Sequence, residues 1–253
     1  MKVQIEKALS VKDLAVDERD ARDLGEALTL IDEAIEPLEE LWAQKGEAID
    51  AAGAGASPDE RDLVAALAET YGVKGGILRS SGDPENAVRA YDKGLDFERH
   101  PARRVDSSYN LVQGLTNRVL AAPGVAGAAE WEVLSKDMWR ELEEAGREIQ
   151  RQLEGSRRND PWAAADMLTV KLLLAPRDPR DGARKVEQAY AEFEELKPKA
   201  SVYESTLRAL NDLKDCLERV DEDERSENLK VIVGQLGSIT GRLREGAAEA
   251  KGR

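Results

Sequence analysis

The sequence predicts an all-α protein, and three observations support that prediction. Ala, Leu, Glu and Arg, all strong helix formers, dominate the 253 residues. Apolar residues recur at steps of three and four over most of the chain, which is the spacing of one helix face. Runs of β-branched residues and the turn signals of β-hairpins are missing. Sequential helices joined by short loops are therefore the expected architecture.

The first helices are predicted within residues 1–56. The segment "VQIEKAL" fits either a short helix or a strand, and both readings stay open. From Asp17 onward a long helix is indicated, with apolar residues at helical spacing: Leu24, Leu28, Ile31, Ile35, Leu38 and Leu41. The small-residue stretch "AAGAGAS" is expected to end it.

Three further helix starts are predicted between residues 57 and 122. Ser57 before Pro58 has the pattern of an N-cap followed by a proline in the first turn. This helix is expected to end at Gly82, and Asp83-Pro84 repeats the start signal for the next one. Pro101 is predicted to open a third helix. Its apolar side would carry Val105, Tyr109, Val112, Leu115 and Val119.

The second half of the chain is predicted to be helical as well. Helices are expected at about residues 128–153, 161–175, 180–196, 200–220 and 222–248. The stretch "AAPGVAGAA" is the clearest internal loop, and it precedes the first of these helices. Short connections between helices favour antiparallel neighbours, so the helices should pack in pairs.

Residues 67–101 carry a recurring size pattern. Tyr71 and Tyr91 are the large aromatic residues of two successive helices, while Gly75 and Ala87 are small residues at positions of close approach. Gly82 closes the turn between them. This segment resembles the tetratricopeptide-repeat (TPR) family, whose units are helix–turn–helix pairs of 34 residues.

The resemblance is degenerate, and it extends weakly beyond this segment. Lys74 stands where the family usually has leucine, Gly94 where it has alanine, and the closing proline is displaced to Pro101. Fainter matches cover residues 160–198 and 20–45. The first of these is carried by four residues: Val186, Tyr190, Phe193 and Pro198.

The resemblance implies a TPR-like solenoid of helical hairpins, a right-handed superhelical array of antiparallel helix pairs. A single domain over residues 1–253 is expected. It would comprise N-terminal helices (1–56), the best unit with the following helix (57–122), irregular pairs (123–220) and a C-terminal capping helix (221–253).

Charge and composition disfavour several classes of partner. The net charge is −14 and the pI is near 4.8, which argues against nucleic acid and against an anionic membrane surface. No segment has the apolar length of a membrane span or a signal peptide, so a cytoplasmic location is expected. The one cysteine, Cys216, excludes an intrachain disulfide and is expected to be a buried thiol.

No catalytic constellation is apparent, and the sequence predicts a protein that is not an enzyme. His100 is the one histidine and its neighbours along the chain are mostly basic, so neither a nucleophilic triad nor a His-containing metal site can be assembled. "GVKGG" lacks the spacing of a phosphate loop. Neither a cofactor nor a metal is expected.

The candidate binding site is a polar stripe on the helix predicted after Pro101. Polar residues there fall at steps of three and four, and the resemblance implies that this face lines a concave groove. Amide side chains both donate and accept hydrogen bonds, which suits a peptide backbone or a terminal carboxylate. The proposed partner-binding residues of this stripe are Arg103, Asp106, Asn110, Gln113 and Asn117. Arg79, from the helix before, is expected to lie beside them.

These features predict an interaction or regulatory adaptor that binds a peptide or a segment of another protein. The alternative is a regulator that senses a small ligand or a signalling peptide and changes the curvature of its solenoid. The last helix is expected to cap the array, and a homodimer through its apolar face is the other possibility. That face carries Leu229, Ile232, Leu236, Ile239 and Leu243.

Overall fold

The computed structural model describes residues 1–20, 23–103, 106–121, 136–218 and 227–252. The side chains at positions 20, 179, 180, 216, 227–229 and 231 are outside the description. Within the described residues the chain forms ten α-helices and no strand, so the all-α prediction is confirmed at this level. The loop predicted at 121–129 lies outside the described residues from position 122 onward. Three other residues of the sequence predictions are also outside the description: Val105, the thiol of Cys216 and the side chain of Leu229.

Contacts between residues divide the chain into two compact units, residues 1–117 and 118–253. The division falls inside a helix and coincides with none of the boundaries predicted from the sequence.

The first unit consists of two helical hairpins and the start of a fifth helix. Helix α1 packs along α2, α3 packs along α4, and α3 also contacts both α1 and α2. The ambiguous N-terminal segment belongs to α1 and is helical. The bounds are α1 Lys2–Asp20, α2 Leu24–Ala52, α3 Pro58–Ser80, α4 Pro84–Glu98 and α5 Tyr109–Ala121.

Side-chain caps fix the starts of α3 and α4. The Ser57 hydroxyl accepts a hydrogen bond from the Glu60 amide, and the Glu60 carboxylate accepts one from the Ser57 amide at 2.7 Å. These two bonds form a capping box, with Pro58 in the first turn. Asp83 caps α4 by accepting from the Asn86 amide at 3.1 Å. Both starts agree with the sequence prediction.

Helix α5 begins at Tyr109, so the predicted start at Pro101 is wrong. Residues 101 and 102 form a turn instead. The buried carboxylate of Glu98, at the end of α4, accepts a hydrogen bond from the Asn110 amide at 3.0 Å. The Ser108 carbonyl accepts the first helical bond, from the Val112 amide at 2.9 Å. A tertiary contact therefore helps to set this helix start, and that contact cannot be read from local sequence signals.

The core of the first unit combines large aliphatic side chains with close helix approaches. Ile31, Leu38, Leu63 and Leu67 are fully buried in it. Gly75 of α3 faces the ring of Tyr91, which is itself fully buried. A Cβ at position 75 would lie 2.7 Å from that ring, so the two helices can approach this closely only at a glycine.

The second unit contains the remaining helices and a 3₁₀ turn at Ala175–Arg177. Helices α6 to α8 pack consecutively, and α9 packs along α10. The apolar face of α10 is covered within the unit, because Ile232, Leu236, Ile239 and Leu243 are all buried. The bounds are α6 Lys136–Glu154, α7 Pro161–Leu174, α8 Pro179–Glu195, α9 Ala200–Glu218 and α10 Glu227–Lys251.

Among the described helices, none combines the length and the apolar character that crossing a membrane requires.

Candidate functional site

The six side chains predicted to bind a partner lie around the junction of α3, α4 and α5, with very different exposures. Asn110, Gln113 and Asn117 are buried. Arg79 and Arg103 are partly buried, and Asp106 alone is exposed. Arg103 and Asp106 precede α5, so the five residues of the predicted stripe do not lie on a single helix.

Most of these polar groups are engaged in contacts within the chain. Arg79 of α3 donates to the Gln113 side chain at 2.5 Å. The Asn110 amide group donates to Glu98 at 2.9 Å and to the backbone carbonyl of Ala68 at 3.1 Å. The Asn117 amide group donates to the Gln113 carbonyl at 2.8 Å. These residues join three helices, and partner binding by them stays a prediction.

Glu98 is the charged centre of this junction. Its side chain is buried and receives two hydrogen bonds from Asn110, while Arg103 lies 3.7 Å away. Burial raises the pKa of Glu98, and the bonds from Asn110 and the charge of Arg103 offset only part of that rise. The carboxylate therefore holds the start of α5 at an electrostatic cost.

A different feature of the first unit is an open groove between α2 and α4. It has a volume of about 1180 Å³. Its floor consists of the apolar side chains that α2, α3 and α4 contribute to its lining. They are Leu28, Ile35, Ala43, Leu78 and Ala90.

The wall formed by α2 is acidic. Its five carboxylates repeat at steps of three and four, which places them along one side of the helix. They are Asp32, Glu33, Glu36, Glu39 and Glu40. All five are exposed, so a ligand in the groove could reach them.

Lys74, Arg89 and Lys93 supply the cations of α3 and α4 in the groove. Lys74 pairs with Asp32 at 2.6 Å, and Lys93 pairs with Glu39 at 3.3 Å. The remaining acids, Glu33, Glu36 and Glu40, form no ion pair with the described residues. An excess of negative charge is thus left along α2.

Tyr71 anchors one end of the groove. Its hydroxyl donates a hydrogen bond to Glu39 and accepts one from Lys93 at 3.1 Å. Burial and the neighbouring carboxylate of Glu39 raise the pKa of Tyr71. Burial would raise the pKa of Glu39 as well, but the bond from Tyr71 and the charge of Lys93 outweigh it and lower that pKa.

An aromatic cluster extends the groove beyond Tyr71, around a smaller cavity of about 300 Å³. Trp42 meets Phe97 edge-on with ring centroids 5.0 Å apart, and Phe97 stacks parallel to Tyr71 at 6.2 Å. His100 closes this end by bonding to Asp50 at 2.8 Å. Flat apolar surface is therefore available next to the charged walls.

Sequence reasoning missed this groove because its walls come from distant segments. Two departures from the repeat pattern nevertheless have structural roles, one in this groove and one at the junction of α3, α4 and α5. Lys74, at a usual leucine position, reaches across to Asp32 of α2. Gly94, at a usual alanine position, makes room for Asn110, whose Oδ1 would lie 2.6 Å from a Cβ there.

The groove combines charged side chains with apolar and aromatic surface. Within the described ranges, no three His, Cys, Asp or Glu side chains converge in a way that could hold a metal ion. The acids and cations instead line an open surface beside apolar and aromatic groups.

No protein-family model matches the chain, and no curated protein matches it.

Proposed function

We propose that the protein is a non-enzymatic interaction adaptor of the cytoplasm, and that the groove between α2 and α4 receives a segment of another protein. The single observation that carries this proposal is the groove itself: an open channel with an apolar floor, aromatic groups at one end and walls of unequal charge. Helical repeats use such preformed channels to bind extended or helical segments.

The proposal includes a TPR-like arrangement of the first unit. Its support is the pairing of α1 with α2 and of α3 with α4, together with the packing of α3 against both helices of the preceding hairpin. The close contact between Gly75 and Tyr91 has the size complementarity expected of such hairpins. A right-handed superhelical array over the whole chain is the further extension of this proposal.

The charge of the groove determines which kind of partner segment would fit it. Lys74 and Lys93 are already paired, and Arg89 is the one further cation in the lining, so the five carboxylates of α2 outnumber the cations of the groove. The segment that fits best carries Lys or Arg on one side and apolar residues on the other. A helix with this pattern would face its basic side to α2 and its apolar side to the floor.

The test is a selection from a random peptide library displayed on phage. We expect the recovered peptides to combine Lys or Arg with apolar residues at helical spacing. The double variant Glu36→Lys/Glu40→Lys should bind them about tenfold or more weakly, a loss of roughly 1.4 kcal/mol or more in binding free energy.

The matched control is Glu6→Lys/Glu47→Lys. Both control residues are exposed and line neither the groove nor the aromatic cavity, yet the change in net charge is identical. Equal weakening by both variants would mean that only overall charge matters. Recovery of acidic peptides, or of none, would exclude a basic partner segment in this groove.

A further inference from the structure

A second concave site lies in the other unit, formed by α6, α7, α8 and the 3₁₀ turn at Ala175–Arg177. Its volume is about 710 Å³, which is within the range of small-molecule pockets. Gly146, Leu174 and Ala175 give it an apolar portion. The proposed adaptor groove uses none of these residues.

Cations dominate the rim and interior of this pocket. Five of its lining residues are basic and three are acidic. The basic residues are Arg147, Arg151, Lys171, Arg177 and Lys185, and the acidic ones are Glu143, Asp178 and Asp181. On a chain whose net charge is −14, such a concentration of positive charge around a cavity calls for a ligand that balances it.

The three acids already have partners. Glu143 pairs with Arg177 and lies 4.0 Å from Arg147. Asp181 pairs with Lys185 at 2.5 Å. Asp178 caps α8, accepting a hydrogen bond from the Asp181 amide at 3.4 Å.

Lys171 and Arg151 are the two basic residues of the pocket that pair with none of these acids. Neither side chain forms a hydrogen bond or an ion pair with the described residues. Lys171 is partly buried in the pocket wall, and burial lowers its pKa. The charge of Lys185 lowers that pKa further, while Glu192 and Asp181 offset part of the effect. A bound anion would relieve this repulsion.

We propose that this pocket binds a small organic phosphate, with Lys171 and Arg151 holding the phosphate group and the apolar portion holding the organic part. Lys and Arg both bind phosphate oxygens through charge-assisted hydrogen bonds. The volume exceeds what an inorganic ion needs, and the wall at Leu174 and Ala175 suits a carbon skeleton.

Titration calorimetry on the full chain tests the proposal with defined probes. Phenyl phosphate should bind at one site per chain, more tightly than inorganic phosphate, while phenol should give no heat of binding. Benzoate should bind more weakly than phenyl phosphate, because a single negative charge compensates fewer cations. Benzoate binding as tightly as phenyl phosphate would overturn the assignment to phosphates.

Variants locate the site. Lys171→Met and Arg151→Gln should each weaken phenyl phosphate binding about tenfold. Lys199→Met is the control, because Lys199 is exposed and outside the pocket. Arg151 is exposed, so its replacement leaves the packing of the unit intact. Unchanged affinity in both pocket variants, or no binding by the wild-type chain, would overturn the proposal.

Covalent trapping gives an independent readout. The aldehyde of pyridoxal 5′-phosphate condenses with a lysine amine, with loss of water, and borohydride then reduces the imine to a stable amine. We expect a lysine of the pocket, Lys171 or Lys185, to be modified first, and phenyl phosphate to protect it. Modification spread evenly over the lysines, with no protection, would contradict a phosphate site at Lys171.

Discussion

Single glycines determine how closely helices of the first unit approach each other. Gly75 faces the buried ring of Tyr91, and Gly94 faces the amide of Asn110. In both cases the neighbour is part of the packed interior, so it cannot move away without a cost in packing.

Replacing Gly75 with alanine tests this contact. The new methyl group would lie 2.7 Å from the Tyr91 ring, and overpacking of this kind costs about 1–3 kcal/mol. The better helix propensity of alanine stabilises the variant by up to about 1 kcal/mol, which offsets only part of the overpacking, so a net loss of stability is expected. Urea denaturation followed by circular dichroism should show a lower midpoint.

Gly241→Ala in α10 is the matched control. Apart from its chain neighbours and the backbone of its own helix, no atom lies within 4 Å of the added methyl group there, so this variant should be about 0.5–1 kcal/mol more stable. A stabilised Gly75→Ala variant would mean that the Tyr91 ring has room to shift.

Because the pKa of Glu98 is raised, we expect its contribution to stability to depend on pH, with a definite sign. Its pKa is raised in the folded chain above the ordinary value of 4.5, so the folded state holds the proton more tightly than the unfolded state does. The free energy of unfolding that this group contributes is therefore greatest below about pH 4.5 and decreases as the pH rises through the folded-state pKa.

Glu98→Gln removes this titration and keeps an oxygen that can accept from the Asn110 amide. We expect the stability of the wild type relative to Glu98→Gln to fall between pH 4.5 and neutrality. Glu98→Ala should be destabilised by about 1–3 kcal/mol throughout, since it leaves buried donors of Asn110 unpaired. Parallel pH profiles for wild type and Glu98→Gln would contradict the raised pKa.

Among the elements, α3 has the most complete local start signal, and that signal can be tested. Ser57→Ala removes half of the capping box and should cost about 1 kcal/mol. Ser10→Ala is a suitable control, since Ser10 is an exposed residue inside α1 whose hydroxyl only bonds back to the Glu6 carbonyl. Thermal denaturation should separate the two variants, and equal midpoints would argue against the cap.

The elements also show how far sequence patterns reach. Ser57-Pro58 and Asp83-Pro84 predicted two helix starts because the capping groups are local. The helix start predicted at Pro101 was wrong because a proline can open a helix or lie in a turn. Ser107-Ser108, next to the true start, was an available signal, but the bond from Asn110 to Glu98 decided the outcome. The groove could not be predicted, since Asp32 and Lys74 meet only after folding.

At the scale of the whole molecule, the two compact units each bury a core of their own. Leu38 and Leu63 are fully buried in the first unit, and Leu168 and Phe193 in the second. Cooperative unfolding requires that parts of a chain depend on one another, and separate cores weaken that dependence.

We therefore expect unfolding in more than one step. In scanning calorimetry, the enthalpy obtained from the shape of the transition should be smaller than the enthalpy measured from its area. Phenyl phosphate should shift only the part of the transition that belongs to the second unit, by mass action on the folded form. A single transition with equal enthalpies would show that the units unfold together.

The acidic wall of α2 has a consequence for how fast the proposed partner segment would arrive. Its carboxylates add to the field of a chain with net charge −14, and this field attracts a cationic segment before any contact forms. At physiological ionic strength the attraction extends about 8 Å, so salt should slow the association of the segment. The apolar floor, which salt screens far less, would then set how long the segment stays.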